Sequence, residues 1–322
     1  MSKFYIPRAG SNQDCYLVVE NDVVTAHVVI DGHGGQVGQG ICTCVHPLFF
    51  QIFLNPLCMA IETRIKELLS LDWVQTHSDL KEVAEEVKAG LLHTIAGTMD
   101  GIYRKRMDAD PLFAKVHCGA TCTIVLSRGE ERVAIWIGDS PVYSLESGKL
   151  LTPANGYPEN ALAVFPRNDP RIAFRAYSPT GKVAHFTGMV AVQHSGIGPE
   201  LLLLNDGVSA DTYLEVLWDL WKLYPWQVSE VFTGPFILAS DGIDYLLPRE
   251  AISDDARLPL LMGIATNPGK AARDKYGARS PSDDLTIVVV GVEQEPAPPV
   301  EQESVRDSPP EEEEEFMLIP ET

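Results

Sequence analysis

Short runs of hydrophobic residues, alternating in places with polar ones, occur before residue 31 and again between residues 118 and 290, and they predict β-strands there. One such run, Val28-Val29-Ile30, stops abruptly at Asp31-Gly32-His33-Gly34-Gly35. The pattern predicts a buried strand that ends in a tight glycine turn, because glycine accepts φ > 0 without strain. A strand over residues 15–19 precedes it and completes a hairpin. We therefore expect Asp14, at the start of the first strand, to lie beside Asp31 at one rim of a sheet.

Between residues 40 and 106 the hydrophobic period becomes helical. Apolar residues recur at helical spacing up to Asn55-Pro56, where we expect a break or kink, and then resume as far as Leu69. A second helix is predicted from an N-cap at Ser78 to about Tyr103, with residues 71–77 as a loop between the two. The pattern indicates a pair of long helices between two groups of strands.

Three further apolar runs meet an aspartate. Asp139 follows the strand predicted over residues 133–137, and Asp241 follows the strand predicted over residues 236–239. Asp283 and Asp284 precede a strong β-pattern that begins at Leu285. Leucines 201–204 also lead into an Asp-Gly pair, so Asp206 is the alternative to Asp241. A helical stretch is expected between Asp241 and about residue 266, whereas residues 153–226 have a weak pattern.

A single aspartate at a strand end is ordinarily a turn former or a cap. Five at strand ends are harder to explain in that way, and gathered at one rim they would form a pocket lined only by oxygen. Such ligands select hard octahedral cations, Mg²⁺ or Mn²⁺. Two such ions about 3.5–4 Å apart can lower the pKa of a shared water and clamp the oxygens of a phosphoryl group. The pattern favours metal-dependent hydrolysis of phosphate esters, and the five residues are Asp14, Asp31, Asp139, Asp241 and Asp283.

Composition narrows the choice of partners. The 322 residues carry a formal net charge of −20 at pH 7, which argues against unaided binding to nucleic acid or to anionic membranes, since both require basic patches. No run reaches the roughly 18 apolar residues of a membrane span, and no signal peptide is recognisable. Six cysteines without zinc-site spacing predict reduced thiols in the cytoplasm; they are Cys15, Cys42, Cys44, Cys58, Cys118 and Cys122.

Residues 293–322 form an acidic tail. They contain eleven acidic residues and one basic residue, a net charge of −10 (1 − 11). The tail has too little apolar surface to order itself, so we predict that it is disordered. It ends in the apolar cluster Phe316–Ile319, which is either a docking motif for a partner or for this protein's own surface, or a terminus without function.

Read in order, the motifs resemble those of the metal-dependent type 2C (PPM) Ser/Thr protein phosphatases, over residues 4–292. The resemblance implies an α+β fold, a four-layer αββα sandwich of two antiparallel β-sheets flanked by helix pairs, with a dinuclear Mn²⁺ or Mg²⁺ site at one end. It assigns residues 1–292 to a phosphatase domain that precedes the tail. The motifs are Asn12-Gln13-Asp14, Asp31-Gly32-His33-Gly34-Gly35, Gly119-Ala120-Thr121, Gly138-Asp139-Ser140, Ala239-Ser240-Asp241-Gly242 and Asp283-Asp284-Leu285-Thr286.

The resemblance also implies a role for each residue. Asp31 would bridge both metal ions and the backbone carbonyl of Gly32 would bind one, while Asp139 would hold a third, weaker ion. His33 would be the general acid that protonates the leaving Ser/Thr oxygen, a role that suits the ordinary pKa of histidine. The substrate would be a phosphoprotein, and we expect a monomer in the cytoplasm or the nucleus. The remaining ligands would be Asp14, Asp241 and Asp283.

Several departures from the family pattern concern substrate recognition more than metal binding. Gln13 replaces a frequent glutamate, and Arg8 is the nearest candidate for the arginine that binds phosphate. Pro141 follows the Gly-Asp-Ser motif where an arginine is usual, and residues 153–230 lack a clear match to the family's flap. These departures motivate an alternative, a pseudophosphatase scaffold or regulatory binding protein of the same fold with little or no catalysis.

Overall fold

The computed structural model describes two antiparallel β-sheets and a set of helices, an α+β fold. One sheet has the strand order β1-β12-β11-β7, and the other has the order β10-β6-β5-β3-β2 with β4 paired to β3. Strands β8 and β9 pair with each other. The described residues are 2–6, 13–35, 48–109, 117–153, 175–177, 183–185, 214–215, 217–218, 221–222, 225–247, 253–277 and 284–292.

The bounds of the elements are as follows. The strands are β1 (Ser2–Ile6), β2 (Asp14–Glu20), β3 (Thr25–Gly35), β4 (His117–Ala120), β5 (Cys122–Arg128), β6 (Glu131–Ile137), β7 (Val142–Ser144), β8 (Arg175–Tyr177), β9 (Val183–His185), β10 (Gln227–Val228), β11 (Phe236–Ala239) and β12 (Leu285–Val290). The helices are α1 (Asn55–Leu69), α2 (Asp72–Thr76), α3 (Leu80–Ala109), α4 (Asp254–Thr266) and α5 (Pro268–Tyr276), with a π-helical turn at Phe49–Leu54 and a 3₁₀ turn at Asp241–Tyr245.

The alternation of side chains along β3 sorts the core into layers. Val28 and Ile30 pack with apolar residues of α1 and α3, whereas Val29 packs with Phe236 and Leu238 of the other sheet. The far face of that second sheet is covered by α4 and α5. The layers therefore run helices, sheet, sheet, helices, which confirms the predicted sandwich.

The helices depart from prediction in detail. Pro56 lies in the first turn of α1, where its missing N–H costs nothing, and the expected break is instead the π-helical turn before it. Asp79, rather than Ser78, caps α3, since its Oδ1 accepts from the N–H of Lys81 at 2.8 Å. The predicted loop contains α2. None of the described helices is both long and apolar enough to cross a membrane.

Candidate active site

Asp14 and Asp31 are direct partners in the antiparallel pairing of β2 with β3. Residues opposite each other in such a pair point to the same face, with Cβ atoms about 4.5–5.5 Å apart. That face is the one between the two sheets, because Tyr16 and Val29, two residues along each strand, pack there. Asp14 is 7% exposed and Asp31 is half-buried. The prediction that the two carboxylates are neighbours is confirmed.

The carboxylate of Asp31 also reaches the other sheet. Its Oδ2 accepts a hydrogen bond from the backbone N–H of Asp241 at 3.3 Å. Asp241 lies two residues beyond the end of β11, after Ser240, and opens the 3₁₀ turn. The segment after β11 of one sheet therefore meets β3 of the other sheet at Asp31. The alternative residue, Asp206, lies outside the described part of the chain.

The glycine turn predicted at residues 32–35 is wrong, because β3 continues through Gly35. Those four residues pair with β4, from Gly32 opposite Ala120 to Gly35 opposite His117. Gly32 does not adopt positive φ. It is required by close packing: a Cβ there would lie 2.8 Å from the carbonyl oxygen of Gln13 and 2.9 Å from the ring of Phe49. The N–H of Gly32 donates to that same Gln13 carbonyl at 2.9 Å.

His33 lies in the extended part of β3, opposite Gly119. Its backbone position, one residue beyond Gly32, is the part of His33 that the structure describes. The role of its imidazole therefore stays a prediction.

Thr121 connects Asp31 to the bend that contains Asp139. Its N–H donates to the carbonyl of Asp31 at 2.7 Å, and its Oγ1 accepts from the N–H of Asp31 at 3.4 Å. The same Oγ1 is 2.5 Å from Oγ of Ser140, which is fully buried. Gly138 makes the bend possible, since it has φ of +97° and lies against the Thr121 side chain. Asp139, half-buried, is thereby held just after the end of β6, beside the start of β5.

A second set of buried bonds joins the last two motifs. Ser240 exchanges hydrogen bonds with the backbone of Thr286, its N–H and its Oγ each at 3.0 Å. Asp284 is 1% exposed and accepts from the N–H of Gln13 at 2.8 Å through its Oδ2. Gly242 packs so tightly on this segment that a Cβ would lie 2.1 Å from the carbonyl oxygen of Asp284. The ends of β11 and β12 are thus tied to the residue that precedes Asp14.

The sequence pattern assigns no role to three hydroxyl residues of this network, Thr121, Ser140 and Ser240. Each is a small polar residue within or beside an apolar strand, and each is buried. A buried hydroxyl costs free energy unless it is hydrogen-bonded. Ser140 and Ser240 are each next to a predicted metal ligand, Asp139 and Asp241. That adjacency is the sequence feature that could have indicated a positioning role for them.

Three residues after Asp241, the exposed Asp244 of the 3₁₀ turn lies beside two other ionisable groups, the buried Tyr143 and the partly buried Arg257. The hydroxyl of Tyr143 donates to Oδ1 of Asp244 at 3.4 Å, and the guanidinium carbon of Arg257 lies 5.6 Å from the centre of the Tyr143 ring. Partial desolvation raises the pKa of Asp244, and the Tyr143 hydrogen bond and the Arg257 charge oppose that shift. Burial also raises the pKa of Tyr143, so its phenol stays protonated at neutral pH.

The donors present fit Mn²⁺ or Mg²⁺ in kind. Asp14, Asp31 and the carbonyl of Gly32 supply oxygen, and hard cations prefer oxygen ligands. Within the described ranges, no group of three or more His, Cys, Asp or Glu residues is arranged to hold a metal ion. Asp283, Arg8 and the tail over residues 293–322 lie outside those ranges, so their roles stay predictions.

No protein-family profile matches the sequence, and no curated protein matches it. The fold is similar to several solved structures at low sequence identity. The serine/threonine phosphatase Stp1 from Staphylococcus aureus is 16% identical, with 91% of this chain and 94% of that chain covered and a TM-score of 0.47. The serine/threonine phosphatase PstP/Ppp from Mycobacterium tuberculosis is 17% identical, with 91% and 98% covered and a TM-score of 0.42. A bacterial serine phosphatase is 14% identical, with 92% and 98% covered and a TM-score of 0.47.

Proposed function

We propose that this protein is a metal-dependent phosphatase that hydrolyses phosphoserine and phosphothreonine in proteins. The observation that carries the proposal is the position of Asp31. Its Cα pairs with that of Asp14 on β2, and its carboxylate accepts a hydrogen bond from the N–H of Asp241 in the other sheet. Carboxylates that converge in this way from separate strands repel one another unless a cation or a proton lies between them. A cation-binding site at this position accounts for the convergence of these carboxylates.

In this proposal Asp31 would hold two Mn²⁺ or Mg²⁺ ions and the Gly32 carbonyl would hold one of them. Asp14, Asp241 and Asp283 would be the remaining ligands, and Asp139 would hold a weaker third ion. When bound, the ions supply a hydroxide nucleophile near neutral pH and neutralise charge on the phosphoryl oxygens. His33 donates a proton to the serine or threonine oxygen as its bond to phosphorus breaks. Arg8 binds the remaining phosphoryl oxygens, because a guanidinium can donate two parallel hydrogen bonds to them.

The test is release of inorganic phosphate from phosphoserine and phosphothreonine peptides. We expect turnover with Mn²⁺ or Mg²⁺, loss of turnover with a chelator, and recovery when metal is restored. Phosphotyrosine peptides and small phosphate esters serve as comparison substrates. Absence of turnover with every metal and every phosphopeptide would refute the proposal.

The second candidate is a pseudophosphatase scaffold of the same fold. It is favoured by Pro141, which stands where the family usually has an arginine and whose carbonyl accepts from the N–H of Ala239 at 3.0 Å. It is also favoured by Gln13, which stands where the family often has a glutamate and so removes one negative charge next to Asp14. Titration calorimetry with Mn²⁺ separates the two candidates. Binding of two ions favours the enzyme, and absence of binding to a folded protein favours the scaffold.

We further propose that the protein acts as a monomer in the cytoplasm or nucleus, and that the acidic tail modulates access to the site. A segment with a net charge of −10 near a phosphoprotein cleft repels acidic substrates or occupies the cleft itself. The apolar cluster Phe316–Ile319 is the proposed docking motif. Truncation after Gly291 is expected to change KM and its dependence on salt, and unchanged values would refute this role of the tail.

A further inference from the structure

The outer face of α4 is apolar. The inner face of this helix carries Leu261, Ile264 and Ala265, which belong to the core between the helix and the second sheet. A surface helix ordinarily has polar residues opposite its buried stripe, and a helix that is apolar all round is ordinarily covered on both sides. After Asp255, however, none of the exposed residues of α4 is charged. These residues are Ala256, Pro259, Leu260, Met262 and Gly263.

These five residues form a shallow groove along the helix, which we call the α4 groove. At about 100° per residue, Ala256, Pro259 and Gly263 lie at the centre of the exposed face, with Leu260 at one edge and Met262 at the other. A Cβ placed on Gly263 would have no atom within 4 Å, so the centre of the groove is open. Leu260 is 40% exposed and Met262 is 36% exposed. Two long apolar side chains thus flank a floor of small residues, a shape that accommodates apolar side chains of another segment.

The neighbouring helix α5, which packs against α4, is basic in an otherwise acidic protein. Its exposed residues include Lys270, Arg273 and Lys275. Lys270 Nζ lies 3.2 Å from Oδ2 of Asp274, the one acidic residue of the helix, so α5 has a net charge of +2 (3 − 1). Residues 1–292 together have a net charge of −10 (24 − 34). The pair of helices therefore presents an apolar groove beside a basic surface.

We propose that the acidic tail of this same chain docks on α4 and α5, with the apolar cluster Phe316–Ile319 in the α4 groove. The five glutamates 311–315 directly precede that cluster, so the tail has an acidic part next to an apolar part. This order matches the basic surface of α5 beside the α4 groove. Asp254 and Asp255 make the first turn of α4 acidic and repel the glutamates from that end. A second copy of the same surface would offer the same positive charge, whereas the tail offers the opposite charge.

The tail is long enough to reach this surface. Val292, the last residue that the structure describes, packs against the core that α4 and α5 share with β12. Phe316 lies 24 residues further along the chain (316 − 292). A flexible chain of that length spans about 27 Å on average and about 80 Å when fully extended. A tether of this kind gives an effective concentration in the millimolar range, so even a weak contact is occupied.

The experiment uses the full-length protein with the photoreactive residue p-benzoylphenylalanine in place of Phe316. After illumination and digestion with trypsin, we expect mass spectrometry to find the peptide 307–322 joined to the peptide 258–270, which contains Leu260, Met262 and Gly263. The joined product should come from protein of monomer mass. Absence of this link, links mainly to other peptides, or a covalent dimer as the main product would overturn the proposal. The readout is independent of catalysis, so the docking does not rest on the proposed function.

A matched pair of variants makes the result specific. Leu260→Glu places a charge at the edge of the α4 groove and keeps Met262 as a target for the photoreactive group. Leu71→Glu makes the same change at a residue of equal exposure, 41%, between α1 and α2. With folding of both verified by circular dichroism, we expect Leu260→Glu to lower the yield of the link at least about fivefold and Leu71→Glu to leave it within about twofold. Equal yields from the two variants would overturn the proposal.

Two further variants test each half of the match. Leu318→Asp changes the tail alone and leaves the sequence of the folded domain intact, so its effect does not depend on the folding of a domain variant. It should lower the yield of the link as Leu260→Glu does, and an undiminished yield would refute docking through the apolar cluster. The double variant Arg273→Glu, Lys275→Glu reverses the charge of α5 and should also lower the yield. An unchanged yield in that protein would refute the contact between the glutamates and α5.

Discussion

Replacement of Thr121 by valine removes one hydroxyl at the junction of three motifs and keeps the shape of the side chain. The lost Oγ1 lies 2.5 Å from Oγ of Ser140 and accepts from the N–H of Asp31 at 3.4 Å. Thr121 is 4% exposed and Ser140 is fully buried. Water therefore cannot take the place of the missing partner without opening the core.

The magnitude follows from two contributions. Loss of a typical hydrogen bond costs about 1 kcal/mol, and a buried polar group left without its partner costs about 1–3 kcal/mol. The 3.4 Å bond is long and adds little. We expect Thr121→Val to lower the free energy of unfolding by about 2–3 kcal/mol, with an unchanged dependence on denaturant.

The assay is urea unfolding followed by the fluorescence of the five tryptophans, with linear extrapolation to water. Ser140→Ala and the double variant complete a cycle. Because the double variant leaves no hydroxyl stranded, it should cost at least about 1 kcal/mol less than the sum of the single variants. Additivity within about 0.5 kcal/mol would refute a direct coupling between the two hydroxyls.

Two other predictions concern packing and pH. Gly242→Ala places a Cβ at 2.1 Å from the Asp284 carbonyl and should lower the free energy of unfolding by about 2 kcal/mol or more; Gly263→Ala, in α4 with nothing within 4 Å, should raise it by about 0.5–1 kcal/mol. Equal effects of the two in urea unfolding would contradict the packing argument. Burial lowers the pKa of His27 to about 4, with a contribution from Arg132, so the unfolded chain binds this proton from about pH 6.5 downward while the folded protein does not. The stability linked to His27 is thus complete above pH 6.5 and is lost as pH falls toward 4, by up to about 3 kcal/mol. His27→Phe, which keeps a ring beside Phe236, should remove that part of the pH dependence. The measurement is the free energy of unfolding at pH 7 and at pH 4.5. An equal decrease between these two pH values in wild type and variant would contradict the prediction.

The part of the site that could be predicted is the part encoded by local pattern. Alternation and hairpin geometry suffice to place Asp14 beside Asp31, because the pairing of adjacent strands fixes which residues share a face. Apolar runs likewise indicate β11 and β12, each of which meets an aspartate at one end. The layered fold was implied by the resemblance of the motifs, and the cores on either face of each sheet agree with it.

The rest depends on contacts between distant segments. Asp31 and the N–H of Asp241 are 210 positions apart, in different sheets, and no periodicity specifies how two sheets are aligned. Gly32 belongs to a glycine-rich segment that is typical of a turn. It lies within a strand instead, and glycine is needed there because Gln13 and Phe49 leave no room for a Cβ. Ser78 was the predicted N-cap of α3, whereas Asp79 is the observed one. Either side chain can accept from the first N–H groups of a helix, so the residue at which the helix begins determines which of them is the cap.

The measurement that tests the central claim most directly is the turnover of a phosphothreonine peptide at saturating Mn²⁺ by wild type, Asp31→Asn and Asp22→Asn. The first variant keeps the size of the residue and removes its charge at the position proposed to bridge the metal ions. Asp22 is exposed in the hairpin turn and is the matched control. We predict that Asp31→Asn lowers kcat/KM at least about 100-fold, equivalent to about 2.7 kcal/mol of transition-state stabilisation, and that Asp22→Asn stays within about twofold of wild type. Equal activity of Asp31→Asn and wild type, with both proteins folded, would contradict the account.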